Sequence, residues 1–447
     1  MNAINRVSRN QRGSVLLAVL GFLFLAMGLV ETILYLSSTH RKIAQRQVNM
    51  EQAMFVAEAG LERGARFIES NIVVLAGTSG STNGSGAVGS GSYYYQVSRS
   101  NSTTYSIVST GTVNGVSRTV SLLRIYQPTY AEFALWSQTN GVIWFKHGEE
   151  FDGRVHADDQ LYFDVTGGGP IFHQTVTSGA GTYSVNGGSI GDVEFDQGFY
   201  LNTFEGTMAD VDFNSSSSTS LKNVATTGGL VLQGNTTITF NGGTLSIINS
   251  RAGWSTAHTY TPPSEGIIYV ANATSGTSST RSGTVYFVGG TVKGRMTIVT
   301  EADMTVGGNI TYKTDPTTNP SSTDALGLIS MADVWVGTSA PNNLQIDAAI
   351  MATGVAPGNS NQGSFGVINY NDASSPHLGN RGTLTIYGGI VQEVRGAVGT
   401  FNSSTGQTST GYAKNYSYDP RFISTPPPYY PVISSEVRFS QWQEGPR

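Results

Sequence analysis

The chain has 447 residues, 38% of them hydrophobic and 10% aromatic, enough for two or three domains with real cores, which excludes a disordered polymer. Only 12% of residues are charged and the net charge is -5, so there is no basic surplus to neutralise phosphates, and the balance argues against nucleic-acid binding. Cysteine is absent, which removes disulfides, thiolate metal sites and thiol nucleophiles together, while 55 glycines among many Ser and Thr favour short strands joined by tight turns.

Residues 1–13 carry Arg6, Arg9 and Arg12 and no acid; from Ser14 to Val30 every residue is apolar or small. Glu31 interrupts, and the run resumes to Leu36. This reaches the roughly 20 residues that a spanning helix needs. No small-x-small cleavage site closes it, as a secretory signal peptide would require. Arg41, Lys42 and Arg46 follow on the far side, so the flanking charges do not orient the segment. Residues 39–70 lack proline, and Ile43, Met50, Met54, Ala57, Leu61, Ala65 and Ile68 recur at helical steps. One helix is therefore expected over 14–72, a transmembrane part followed by a stalk, with Gly60 and Gly64 as weak points.

The stretch "RNQRGSVLLAVLGFLFLAMGLVE", followed by "QAMFVAEAGLERGARFIES", resembles the N-terminus of PilX-type minor pilins of type IV pili. The resemblance implies cleavage between Gly13 and Ser14. It also implies an assembly helix whose contacts include Val15, Leu16, Leu17, Ala18, Leu20, Phe22, Phe24, Leu25 and Glu31. Ala18 stands at the fifth position after that cut, where major pilins carry Glu, a departure that suits a minor subunit or an unprocessed anchor.

After a Gly/Ser linker over 73–91, the alternation of 92–128 and the Asn114-Gly115 pair predict a small antiparallel sheet packed on the helix. From 129 to 425 short apolar runs recur between glycines, as in "GTVYFVGGTVKGRMTIVT" and "GTLTIYGGIVQ", with few hairpin pairs between them. The fold expected is mainly β with one long N-terminal α-helix: the small antiparallel sheet, then a parallel β-solenoid-like body, with a β-sandwich as the alternative. "FDGRVHADDQLYF", "VKGRMTIVTEADMTVGGNITY" and "YSYDPRFISTPPPYYP" resemble an uncharacterised pilus-associated β-domain family, which brings no catalytic residues. Residues 426–447, opening with three prolines, read as a strap with a frayed end.

The densest polar stretch is 147–164, with His147, Glu149, Glu150, Asp152, Arg154, His156, Asp158, Asp159 and Asp164. Glu, Asp and His at this density are able to bind a cation, Ca²⁺ before Zn²⁺, or to pair as general acid and base, while alternation along short strands would turn half of them into solvent; no metal-loop, zincin, phosphate-loop or nucleophile-elbow motif accompanies them, so no catalytic or cofactor residue is assigned. Asp192, Glu194 and Asp196 alternate; on one strand they would share a face and favour a cation, Ca²⁺ first. Tyr93, Tyr95, Trp136, Trp144, Trp254, Trp335, Tyr429 and Tyr430 are core-packing residues or, where exposed, glycan-stacking ones.

The expected protein is thus a minor component or assembly protein of a type IV pilus or related fibre. It would be anchored in the inner membrane, display an extracytoplasmic, non-catalytic body, and partner lipid, other pilin-like subunits and surface glycans. A membrane-tethered adhesin or envelope scaffold outside any pilus is the second reading, a carbohydrate-active solenoid the third.

Overall fold

The computed structural model describes residues 11–76, 82–99, 104–206, 208, 211–217, 220–263, 266–275, 282–356, 363–373, 379–402, 405–433 and 437–445. Helix α1, Gln11–Ala76, is unbroken over 66 residues, about 100 Å at 1.5 Å per residue. Leu, Ala and Met, strong helix formers, dominate its first half. Thr32 and Thr39 donate their hydroxyls to Gly28 O and Tyr35 O at 2.7 and 2.9 Å, so neither is left unsatisfied.

The far end of α1 lies on an antiparallel sheet of β1 (Thr82–Val88), β2 (Gly91–Arg99), β3 (Thr104–Val113) and β4 (Val116–Tyr126). Asn114 and Gly115, both at positive φ, turn β3 into β4. The buried helical face is Asn49, Ala53, Val56, Ala57, Gly60, Gly64, Ala65 and Ile68. Ile43 of the expected stripe is exposed, and Met50, Met54 and Leu61 are half-buried. The two weak points are required: a Cβ on Gly60 would collide with Ser109 and Tyr93, and one on Gly64 would press to 3.1 Å against Ile107. Gly111 on the facing strand likewise leaves no room for a Cβ against the backbone of Ala53 and Ala57.

Two segments differ from expectation. Within the expected 73–91 linker, α1 runs to Ala76 and β1 forms. Gly84 and Gly86 pair with Tyr95 and Tyr93, whose rings occupy the space a side chain would need. The expected frayed end instead forms a strand, Arg438–Glu444, that pairs antiparallel with β4 as fifth member of the sheet.

The body is built on parallel ladders, as the solenoid-like reading expects. Strand β5 (Phe133–Thr139) pairs on one side with Arg154–Ala157, then Val176–Ser178, then Phe199–Tyr200. On its other side the ladder runs backwards through the sequence: 380–394, 344–352, 325–330, 295–300, 266–271 and 230–233. The chain therefore starts in the middle of the stack, winds to one end, crosses to the other and winds back. Ile268, Ile298, Leu328, Ile350, Ile390, Leu135, Val155 and Val176 form one continuous column through this ladder, none more than 2% exposed.

The opposite face of the same ladder is buried too, with Tyr269, Val299, Ile329, Met351, Val391 and Trp136 each at 0% exposure. Short helix α2 (Leu221–Gly228) and the proline strap cover parts of it: Arg295 Nη2 donates 2.6 Å to Pro426 O, and Tyr130 N donates 3.0 Å to Pro431 O. A ladder buried on both faces reads as continuous apolar runs such as "GIIYVA". Two antiparallel hairpins over 236–260 close one end of the stack.

Candidate membrane and assembly helix

Among the described residues, none covers the first half of α1. Its side chains are exposed throughout 14–36 except for the half-buried Ala26; Leu17 and Phe22 are each 74% exposed, and Phe24, Leu25 and Met27 reach 69%, 70% and 70%. Val15, Leu16, Ala18 and Leu20 are exposed likewise. A row of bare Leu and Phe of this length is costly in water and stable in lipid or among other apolar helices. Glu31 is the one carboxylate within 14–36, and it is exposed. Ser14 lies in the first turns of α1; residues 1–10 and the surroundings of Gly13, including the expected leader, lie outside those described.

The 147–164 stretch is dispersed. Glu149, 4% exposed, binds Lys414 at 2.8 Å. Arg154 pairs with Glu205 at 2.5 Å and lies 3.8 Å from Glu132. His156 is buried between Thr177 and Asp158, each at 2.8 Å. Asp159 accepts from Asn140 N, and Asp164 from Thr166 N. These groups serve turns and joints between coils.

Asp192, Glu194 and Asp196 do not share a strand face, because the strand is only Glu194–Phe195. Asp192 instead closes a 3-10 turn by accepting from Ser189 N at 2.8 Å. Asp196 accepts from His173 Nδ1 at 2.7 Å, and His173 Nε2 faces Glu150 Oε1 at 2.6 Å. His173 escaped the sequence reading, although Glu-Phe-Asp at 150–152, Ile-Phe-His at 171–173 and Glu-Phe-Asp at 194–196 repeat at about one coil apart.

Of the aromatic residues, Trp136 and Tyr430 are core, and Tyr93 and Tyr95 pack between α1 and β1. Trp254 stacks on His258 at 4.0 Å.

No family model and no curated protein matches the sequence. Among solved structures, the competence-associated pilin ComZ from Thermus thermophilus aligns with 89% of this chain and 97% of its own, at 11% identity and a TM-score of 0.35. Likeness at that level does not assign a function.

Proposed function

We propose that the protein is a pilin-like subunit, held in the inner membrane by residues 14–36 and packed through the same residues against other pilin-like helices in a fibre. The observation that carries this reading is the continuity of α1: one rigid rod is bare and apolar at one end and locked into β2–β4 at the other. Such a rod transmits position from a helical bundle to the displayed body. Glu31 supports the placement. It stands 17 residues beyond Ser14, about 25 Å along the axis, near the far boundary of a hydrocarbon core about 30 Å thick.

Packing between such helices rests on van der Waals contact, and Gly21 and Gly28, with nothing within 4 Å of a built Cβ, leave room for close approach. The PilX-type resemblance and the extracytoplasmic placement of the body belong to this proposal, as does the absence of catalysis. Ala18 at the fifth position after Gly13 favours one second reading, a tethered scaffold that stays in the membrane. N-terminal sequencing of the protein from its host separates the two: Ser14 as first residue supports the subunit reading, and an intact Met1 overturns it.

A further inference from the structure

Three parallel strands stack in register near one end of the body, and their side chains form columns. Phe151, Phe172 and Phe195 point inward as a stack, with centroids 5.3 and 5.4 Å apart and planes within 11°. The residue after each phenylalanine forms the outward column: Asp152, His173 and Asp196. The imidazole thus sits one rung from a carboxylate on either side, and Glu150 reaches in from the end of the first strand.

We propose that Glu150, Asp152 and His173 form a site for a divalent transition-metal ion such as Zn²⁺, with Asp196 orienting the histidine. Four features support it. First, the three donor groups lie within 4.8 Å of one another. Second, the distances suit a shared ion: Nε2 lies 2.6 Å from Glu150 Oε1 and 4.0 Å from Asp152 Oδ1. These bracket the roughly 3.3 Å between two ligands that each bond one Zn²⁺ at about 2.0–2.1 Å in tetrahedral geometry. Small rotations about exposed side-chain bonds close the difference.

Third, Nδ1 is 2.7 Å from Asp196 Oδ2. A histidine that donates its other ring N–H to a carboxylate has its tautomer and ring plane set for metal binding. Fourth, the columns stand on paired strands over a buried aromatic stack, a stiffer platform than a loop. Among the described residues the Asp152 carboxylate makes no hydrogen bond, its nearest partner being His173.

Charge points the same way. Glu150, Asp152 and Asp196 gather around one imidazole. A proton on His173 supplies one positive charge, and a dication replacing the proton at Nε2 supplies two. Glu150 and Asp152 are first-coil residues and His173 belongs to the next, so an ion here would staple adjacent coils. This inference stands apart from the membrane reading and survives its failure.

The test is calorimetric titration of Zn²⁺ into the full chain in detergent, with Co²⁺ absorption as a second readout. One saturable equivalent is expected. His173→Gln should weaken binding at least 100-fold, and Asp196→Asn and Asp152→Asn about 10-fold or more; Glu51→Gln on α1 should leave it unchanged. Asp152→Asn removes no hydrogen bond, so it decides the matter if the histidine variant does not fold. Absence of saturable binding at millimolar Zn²⁺, or equal affinity in Asp152→Asn, overturns the proposal.

Discussion

Glu132 accepts a 2.7 Å hydrogen bond from Arg438 across 306 positions of sequence, tying the first turn of the body to the last strand of the α1-bound sheet. Glu132 is 3% exposed and Arg154 lies 3.8 Å from the same oxygen, so two guanidinium groups serve one buried carboxylate.

Arg438→Ala should therefore destabilise the protein by about 1–3 kcal/mol, the cost of leaving a buried acceptor short of a charged donor. Burial raises the Glu132 pKa, and Arg438 opposes that rise. An acid raised on folding costs stability above its folded pKa, and the cost disappears below its unfolded value. The deficit of Arg438→Ala should accordingly be largest near neutrality and shrink in acid, as urea denaturation at several pH values would reveal.

Gly111→Ala should cost about 3 kcal/mol, because α1 and β3 are in backbone contact there and overpacking forces both to shift. Gly28→Ala, where nothing lies within 4 Å, should not lower the melting temperature of the same protein. Thermal denaturation in detergent compares them directly.

Leu135→Ala should cost about 2–5 kcal/mol and lower one shared transition rather than split it. Leu135 joins Ile390 on one side and Val155 on the other, so the first and last coils of the body meet at this rung. Calorimetry showing two separated transitions would mean that the halves fold alone.

His173 is a base raised on folding, from 6.5 to about 9, by its hydrogen bonds to Glu150 first and Asp196 next. Its contribution to stability is fully present below pH 6.5 and fades as pH rises through about 9. Imidazole NMR on metal-free protein should place its midpoint near 9, and lower in Asp196→Asn.

Much of the architecture is legible locally. An apolar run with no break predicts α1, Asn114-Gly115 predicts the β3–β4 turn, and scarce hairpin pairs predict parallel ladders. What escapes is set by distant partners. Nothing near Leu135 announces Ile390, so the mid-stack start of the body has no local signature. β1 reads as a linker because its glycines make room for Tyr93 and Tyr95 on the next strand. Asp192, Glu194 and Asp196 alternate in sequence, but a 3-10 turn takes Asp192 away, and Asp196 meets a histidine one coil back.

The central claim is that residues 14–36 reside in lipid or among apolar helices while the body stands outside. The chain contains no cysteine, so single-cysteine variants report cleanly. Leu25→Cys and Ser216→Cys, one on the bare stretch of α1 and one exposed on the body, should be treated with a membrane-impermeant maleimide on spheroplasts. The account predicts rapid labelling at 216 and protection at 25 until detergent is added. Labelling at 25 in intact membranes, or protection at 216, would contradict it.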